Sequence, residues 1–242
     1  MARGGRDWGV SSPSSYLFPI VSFEDYLMRL GLINTLDGKG DILFYDSFES
    51  GISKWHQTSG VGDNYIILSP GHARSGNWSL KLHLAGGAWD HTEAAITMPV
   101  DQPGRFGFES NFTIRLDSFR PVWNLYYYDI ANYYMFAVRY NPATHKLQYH
   151  APLDVWTNFA DVTWEVSPLH YWHPVKLVID ATRLEYVKFI ARGIEYDLTG
   201  YTTSVDVLDS RRAIQPRFRW QNAAGASYHG YLDDVIITTN EP

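Results

Sequence analysis

The sequence predicts an all-β protein: a two-sheet antiparallel sandwich with one short N-terminal helix and an extended N-terminal arm. Three observations support this prediction. From Asp41 to the end, short runs of alternating apolar and polar residues are separated by turn-forming groups such as Ser69-Pro70-Gly71. Aromatic residues, which favour strands, make up 16% of the chain. A length of 242 residues suits one sandwich with a small addition.

Residues 1–40 are predicted to form a docking segment in front of the sandwich. Residues 1–21 are polar and rich in Gly, Ser and Pro, which indicates an extended arm. Residues 22–31 predict the helix, because Ser22 suits the N-cap, Gly31 suits the C′ position, and apolar residues recur along one face. So short a helix needs a surface to pack on. We therefore expect this segment to dock on the sandwich, on a protein partner or on identical subunits.

Residues 41–242 are predicted to form the sandwich domain. The stretch Trp172–Gly200 is its most regular part, because apolar and polar residues alternate in two runs and a third run follows the tight-turn pair Arg192-Gly193. It predicts a three-stranded meander. The expected strands of the whole domain are residues 42–48, 64–68, 78–84, 91–98, 105–116, 122–128, 133–140, 145–150, 154–165, 172–180, 184–191, 194–198, 203–208, 214–221 and 229–238.

Composition and charge exclude several classes of protein. A net charge of −6 argues against a nucleic-acid-binding surface. The absence of cysteine excludes disulfides, thiolate metal sites and a cysteine nucleophile. No stretch approaches the roughly 20 apolar residues of a membrane-spanning helix, and the N-terminus lacks the apolar core of a signal peptide. We expect a chain made in the cytoplasm, with no nucleic-acid partner and no membrane span.

Four segments resemble jelly-roll proteins of the concanavalin-like and laminin-G-like type. Trp172–Gly200 is similar to their back-sheet strands. Phe44–Trp55 resembles the opening motif of carbohydrate-binding jelly rolls, Ser75–Leu82 resembles their second strand, and Tyr231–Ile237 resembles their closing strand. All four occur in the expected order. The resemblance implies a jelly-roll topology; members of this group bind glycans or proteins, and some relatives hydrolyse polysaccharides.

The resemblance also implies a candidate structural calcium site. In several carbohydrate-binding jelly rolls, oxygens from the first and last strands hold this ion, and Ca²⁺ takes about six to eight oxygen ligands. The available carboxylates are those of Asp46, Glu49, Asp233 and Asp234. The alternative is that Asp233-Asp234 ends a strand and caps a turn. We expect no cofactor to be required beyond this candidate ion.

The sequence argues against a paired-carboxylate active site. Retaining glycosidases of this architecture carry a Glu-x-Asp-x-(x)-Glu run on one strand, because residues two apart share a face and bring two carboxyl groups to about 5–5.5 Å. Glu195-Tyr196-Asp197 has the spacing but no third acid, and Glu93 and Glu109 are isolated in their predicted strands. We therefore predict a noncatalytic protein, with convergence of carboxylates from different strands as the alternative.

The aromatic block at residues 123–134 is the best candidate for recognition. Strand alternation places Asn124, Tyr126 and Tyr128 on one face and the intervening residues on the other. Aromatic rings beside polar groups suit sugars, whose C–H faces stack while their hydroxyls need hydrogen-bond partners. The alternative is that these rings fill the core or a subunit interface. The candidate glycan-binding residues are Trp123, Asn124, Tyr126, Tyr128, Tyr133 and Trp156.

Two functions follow from these observations. The first is a structural or decoration protein of a larger surface assembly, such as a phage-like virion capsid or tail, docked through residues 1–40 and able to bind glycans. The absence of a signal peptide and of cysteine favours this function. The alternative is an extracellular carbohydrate-binding module, or a polysaccharide-active hydrolase or lyase of concanavalin-like fold.

Overall fold

A computed structural model of the chain describes residues 38–60, 63–87, 90–114, 119–164, 171–208, 211–222 and 227–242. The arm and the helix predicted at residues 22–31 lie outside these residues. The chain divides into two units, Met1–Gly38 and Lys39–Pro242, and every described strand belongs to the second. Within the described ranges, no helix is long and apolar enough to cross a membrane.

Seventeen strands are present in the described part of the chain. In chain order they are β1 (Asp41–Asp46), β2 (His56–Ser59), β3 (Tyr65–Ser69), β4 (Ser79–Leu84), β5 (His91–Ala95), β6 (Met98–Pro99), β7 (Arg105–Thr113), β8 (Phe119–Tyr128), β9 (Asn132–Asn141), β10 (Lys146–Ala151), β11 (Val155–Asp161), β12 (Trp172–Asp180), β13 (Glu185–Ala191), β14 (Ile194–Asp197), β15 (Ser204–Val207), β16 (Ala213–Asn222) and β17 (Tyr228–Thr239). A short 3₁₀ turn, Pro152–Asp154, joins β10 to β11.

Most expected strands are found within a few residues of their predicted bounds, and β12 has the predicted bounds themselves. The predicted meander is confirmed, since β12, β13 and β14 pair in succession. Strand β2 was missed because all four of its residues are exposed and none is apolar, which leaves no alternation to detect. The run predicted at 91–98 is two strands, β5 and β6, which both pair with β16.

The strands form two antiparallel sheets. The back sheet has the order β14-β13-β12-β7-β17-β4-β3, and β1 also pairs with β17. The front sheet has the order β11-β10-β9-β8-β16-β5-β2, with β15 beside β9 and β6 beside β16. Strands that are distant in the sequence, such as β7 with β17 and β8 with β16, are neighbours within one sheet because the chain crosses repeatedly from one sheet to the other. The predicted two-sheet jelly-roll sandwich is therefore confirmed.

The core lies between the two sheets and is rich in aromatic rings. Trp123 of β8 has no exposed surface and packs against Phe112 of the back sheet at a ring-centre distance of 4.8 Å and against Trp164 at 5.8 Å. Leu125 and Tyr127 follow Trp123 into this core. The intervening residues of β8 therefore face the outer side of the front sheet, in agreement with the predicted alternation.

Tyr186 of β13 links the back sheet to the front sheet. On β9, the residues paired with β10 begin at Val138 and those paired with β15 end at Met135, which leaves a gap beside Ala137. The buried Tyr186 hydroxyl fills this gap. It accepts a hydrogen bond from the Ala137 backbone N–H at 2.8 Å and lies 2.9 Å from the His150 carbonyl oxygen, to which it can donate. This contact holds the end of β10 in place.

Candidate functional site

A cleft of about 500 Å³ lies on the outer face of the front sheet. Its lining residues come from neighbouring strands, because the register places Val122 of β8 between Arg139 of β9 and Arg219 of β16. Outward-facing residues on adjacent strands thus form one continuous surface. The cleft is lined by Val122, Asn124, Met135, Arg139, His150, Asp154, Trp156, Arg219 and Gln221.

Arg139 and Trp156 form one wall of the cleft. The guanidinium carbon of Arg139 lies 4.1 Å from the centre of a Trp156 ring, a cation–π arrangement. Its Nε donates a hydrogen bond to Gln148 Oε1 at 2.8 Å, and Gln148 Nε2 donates to Asn158 Oδ1 at 2.7 Å. This chain of contacts across β9, β10 and β11 fixes the position of the guanidinium group.

The charge of Arg139 has no acidic partner in the part of the chain that the structure describes. Burial and the nearby Arg120 guanidinium lower the pKa of Arg139 to about 10, and no ion pair offsets them. Its terminal nitrogens Nη1 and Nη2 donate to no acceptor in the described residues. A half-buried cation in this setting is a natural binding group for an anion.

Two further guanidinium groups share one carboxylate on the same face. Glu93 of β5, which is almost fully buried, lies 3.3 Å from Arg217 Nη1 and 2.8 Å from Arg219 Nη2. Arg217 also stacks on Tyr126, with its guanidinium carbon 4.1 Å from the ring centre, and its Nη2 lies 3.3 Å from the Tyr128 hydroxyl. Arg217 therefore holds the tyrosines in place, and Arg219 faces the cleft.

Three tyrosines extend the site along β8 and β9. The rings of Tyr126 and Tyr128 stack at 6.3 Å, and Tyr133 packs on both, at 5.8 and 6.0 Å. Beside Tyr128 lies a second depression of about 370 Å³. From Val122 to Tyr128 the strand spans about 20 Å, so the surface is long enough for several sugar rings.

His150 lies at the floor of the cleft. It is 3% exposed and packs edge-on against Trp156 at 5.0 Å. Its Nδ1 is 3.2 Å from Ser204 Oγ, and its Nε2 is 3.5 Å from Asp154 Oδ1. Burial lowers the pKa of His150, Asp154 opposes this shift, and Arg139 adds to it. The imidazole is therefore neutral at pH 7 and able to accept a proton.

Asp154 reaches His150 from a strained turn. Both Leu153 (φ 64°) and Asp154 (φ 59°) have left-handed backbone conformations, which are uncommon for residues other than Gly, Asn and Asp. The Leu153 side chain is almost entirely exposed. A strained conformation persists only where its surroundings hold it, and here it places a carboxylate at the rim of the cleft.

The structure brings most of the predicted glycan-binding residues together. Asn124 and Trp156 line the cleft, and Tyr126, Tyr128 and Tyr133 form the adjoining surface. Asn124 and Tyr126 are more than nine-tenths buried, so only their edges reach the surface.

The prediction that Trp123 contacts a glycan is wrong. Its ring is fully buried between the sheets, so it cannot contact a ligand on the outer face.

Sequence reasoning missed the charged residues of the site. Arg139, His150, Arg217 and Arg219 were not among the candidates, and Glu93 was considered only as an isolated acid. The run Arg217-Phe218-Arg219-Trp220 could have revealed two of these residues, because its two arginines alternate with two aromatic residues. This alternation predicts two guanidinium groups on one outward face.

The four carboxylates proposed as calcium ligands serve instead as hydrogen-bond acceptors in turns and loops. Asp46 accepts hydrogen bonds from the Phe48 N–H at 2.8 Å and the Trp55 indole N–H at 2.6 Å. Glu49 Oε1 accepts bonds from the N–H groups of Asn77 and Trp78, each at 2.7 Å. Both carboxylates thus bind the chain's own donors.

Asp233 and Asp234 bind the loop before β4. Asp233 Oδ2 accepts the Arg74 N–H at 2.8 Å, and Asp234 Oδ2 lies 3.3 Å from the Arg74 guanidinium. No group of three or more acidic or histidine side chains suited to a metal occurs in the described ranges. A guanidinium and several N–H donors occupy the lone pairs that a cation would need, so these residues do not fit a calcium site. The alternative that Asp233-Asp234 ends a strand is also wrong, because both residues lie within β17 and hold a loop that is distant in the sequence.

The back sheet holds the acids with glycosidase-like spacing. Glu195 pairs with Lys188 at 3.0 Å, and Asp197 accepts the Thr199 N–H at 2.8 Å. Both belong to β14, on the sheet opposite the cleft. Among the described residues that line the cleft, Asp154 is the one carboxylate. The described lining of the cleft therefore does not provide two carboxylates that could flank a bound sugar.

Comparisons with known proteins show the fold. No family model matches the sequence, and a search of curated proteins finds no match. An endo-β-1,4-glucuronan lyase from the fungus Trichoderma reesei superimposes with a TM-score of 0.56 at 14% identity, over 82% of this chain and 96% of that one. A carbohydrate esterase from a Shiga toxin-encoding bacteriophage gives 0.53 at 13%, over 84% and 100%. A Bacillus licheniformis β-glucanase gives 0.51 at 12%, over 85% and 100%.

Proposed function

We propose that this chain binds a glycan along the outer face of the front sheet. The observation behind the proposal is the surface itself, where the rings of Trp156, Tyr128 and Tyr133 stand beside guanidinium, amide and imidazole groups around a cleft. Sugar rings stack their C–H faces on aromatic side chains, and their hydroxyls pair with such polar groups. The surface combines both kinds of contact.

The arrangement of the site supports a preformed binding surface. Hydrogen bonds fix Arg139 and Gln148, stacking fixes Tyr126 and Tyr128, and β-strands carry all four residues. A rigid surface loses little conformational entropy when a ligand binds. The structural neighbours add support, because the names of all three describe carbohydrate-active proteins.

Affinity electrophoresis against a panel of soluble polysaccharides, followed by titration calorimetry with the best binder, tests this proposal. Trp156→Ala removes a ring from the cleft wall and is expected to weaken binding about tenfold or more. Trp78→Ala is the matched control, because Trp78 is 37% exposed and lies outside the cleft. Binding by the parent chain that both variants retain equally would place the glycan elsewhere, and no binding to any polysaccharide would refute the proposal.

A second candidate function is cleavage of the bound glycan, and the observation that favours it is His150. A neutral imidazole at the floor of the cleft has one ring nitrogen without a hydrogen, and that nitrogen can take a proton from a substrate. The assay measures new reducing ends after incubation with each polysaccharide that binds. Cleavage by the parent that His150→Gln abolishes, while binding persists, is the expected result. Binding without cleavage would leave the chain as a binding protein.

Docking on a larger surface through residues 1–40 stays a prediction from the sequence, because residues 1–37 lie outside the described residues. Size-exclusion chromatography tests it by comparing the full chain with a chain that begins at Asp41. We expect the full chain to form a larger species or to bind a partner surface such as a virion. A full chain that stays monomeric and loses no partner on truncation would contradict this prediction.

A further inference from the structure

The cleft is positively charged although the chain as a whole is acidic. Arg139 and Arg219 line it, opposed by the single carboxylate of Asp154. Asp154 has an 85% exposed side chain, so water screens its charge. Glu93 is shared between Arg217 and Arg219, and one carboxylate therefore offsets two guanidinium groups. The chain carries a net charge of −6, so this local excess of cations is a specific feature of the cleft.

Arg139 is the group that most needs a partner. Its side chain is half-buried and lies over the Trp156 ring. Its Nε–H donates a hydrogen bond to Gln148, which carries no charge. Removing a cation from water without an anion nearby costs free energy. Burial and the like charge of Arg120 lower the pKa of Arg139, because both make its charged form less favourable. An anionic ligand would relieve it.

The geometry favours a carboxylate as that anion. A guanidinium group fixed over an aromatic ring by a hydrogen bond at Nε keeps its Nη1–Nη2 edge for a ligand, and two parallel N–H groups match the two oxygens of a carboxylate. The Nη1 and Nη2 atoms of Arg139 form that edge. Aromatic rings on the adjoining surface would stack the sugar ring that bears the carboxylate.

We infer that the glycan bound in this cleft is an acidic polysaccharide whose uronic acid carboxylates pair with Arg139. The inference rests on the proposed function and adds the class of ligand to it. Arg219, on the opposite side of Val122, already pairs with Glu93 through its Nε and Nη2 atoms, so the inference is assigned to Arg139. Sulfate groups on a glycan offer similar acceptor oxygens, so the experiment separates these two sources of charge.

The experiment compares each acidic polymer with its neutral counterpart in titration calorimetry on the full chain. The probes are polyglucuronate, polygalacturonate and alginate, each beside the same polymer after reduction of its carboxyl groups to alcohols. Dextran sulfate beside dextran provides the sulfate arm. For at least one polyuronate, we expect affinity about tenfold or more above that of its carboxyl-reduced form, as charge-assisted hydrogen bonds require.

Variants then assign the effect to Arg139. Arg139→Gln is expected to abolish the preference for the polyuronate, so that the variant binds the polyuronate and its reduced form with affinities within about twofold of each other. Arg183→Gln is the matched control, because it removes the same charge from a residue with a 64% exposed side chain between β12 and β13 of the back sheet. Arg139→Lys keeps the charge without the planar edge and is expected to bind with intermediate affinity. Thermal melting checks that each variant is folded.

The outcomes separate the two proposals. Equal affinity for every polyuronate and its reduced form would overturn the acidic-glycan inference and leave glycan binding intact. A preference for dextran sulfate over all polyuronates would also overturn it, in favour of sulfate. No binding to any polymer would overturn both proposals. An unchanged preference in Arg139→Gln would overturn the assignment to this residue.

Discussion

The ammonium group of Lys176 lies 2.8 Å from the carboxylate of Glu241, and both side chains are almost fully buried. Glu109 lies on the same ammonium at 2.7 Å, and the Lys39 carbonyl oxygen accepts from it at 3.1 Å. Burial alone would lower the pKa of Lys176, but the two carboxylates outweigh it and raise the pKa, so Lys176 is charged. These contacts bring both ends of the sandwich domain, Lys39 and Glu241, to one strand.

Replacing Lys176 by Met is expected to destabilise the fold strongly, because two buried carboxylates would lose their cation. Breaking a buried ion pair in this way costs about 3–5 kcal/mol of the free energy of unfolding. The control is Lys146→Met, since Lys146 pairs with Asp161 at the surface, where such pairs contribute about 1 kcal/mol or less. Urea denaturation measures both. Losses that agree within about 1 kcal/mol would contradict the structural role of Lys176.

Asp233 is expected to make the fold less stable as the pH rises from about 4 to about 7. Burial and the neighbouring Asp234 raise the pKa of Asp233 to about 7, despite three backbone N–H donors. The folded chain therefore holds a proton that the unfolded chain has already released, and the resulting stabilisation is lost as the pH rises through the folded pKa.

Carbon NMR of the Asp233 carboxyl group, and urea denaturation across this pH range, measure the effect of Asp233. In Asp233→Asn this titration is absent, so the stability of the parent relative to the variant should fall with rising pH. A relative stability that is constant with pH, or an Asp233 midpoint near 4, would exclude the effect.

His150 is expected to titrate below its ordinary pKa, with two neighbours shifting it in opposite directions. Burial lowers the pKa of His150, Asp154 raises it and Arg139 lowers it. Asp154→Asn should therefore lower the pKa further, and Arg139→Gln should raise it. Proton NMR of the imidazole follows each midpoint. Shifts of the same sign in both variants would mean that His150 does not lie between these charges.

The same shift has a consequence for stability at low pH. Because the folded pKa of His150 lies below that of the unfolded chain, its contribution is present above about pH 6.5. It is lost as the pH falls through the folded pKa.

Removing the Tyr186 hydroxyl is expected to destabilise the fold and to loosen the floor of the cleft. Tyr186→Phe leaves the buried Ala137 N–H without its acceptor, which costs about 1–3 kcal/mol. It also removes the 2.9 Å contact at the His150 carbonyl oxygen, where the Thr203 hydroxyl stays at 3.4 Å. Tyr196→Phe is the control, because the half-buried Tyr196 hydroxyl makes no hydrogen bond within the described residues. Denaturation measures stability, and amide exchange at Ala137 measures loosening. Equal stability of both variants would rule out the bridging role.

The pattern of single strands was open to prediction from the sequence. The period of two along β8 separated Trp123, Leu125 and Tyr127 from Asn124, Tyr126 and Tyr128, and the structure places these two sets on opposite faces. Alternation is a local property, because successive side chains on a strand point to opposite sides whatever the strand pairs with. Alternation alone therefore meant that Trp123 and Asn124 could not both belong to one binding surface, and the packing of the two sheets decided that the face of Trp123 is the core.

The composition of the site was decided by the tertiary structure. Arg139, His150 and Trp156 come from three neighbouring strands, and Arg219 joins them from β16, distant in the sequence. Which strands become neighbours, and in which register, depends on long-range pairing and on packing between the sheets. The same dependence turned Asp233 and Asp234 towards Arg74. The sequence by itself determined the strands and their two faces, and only the folded sheets decided which charges meet across them.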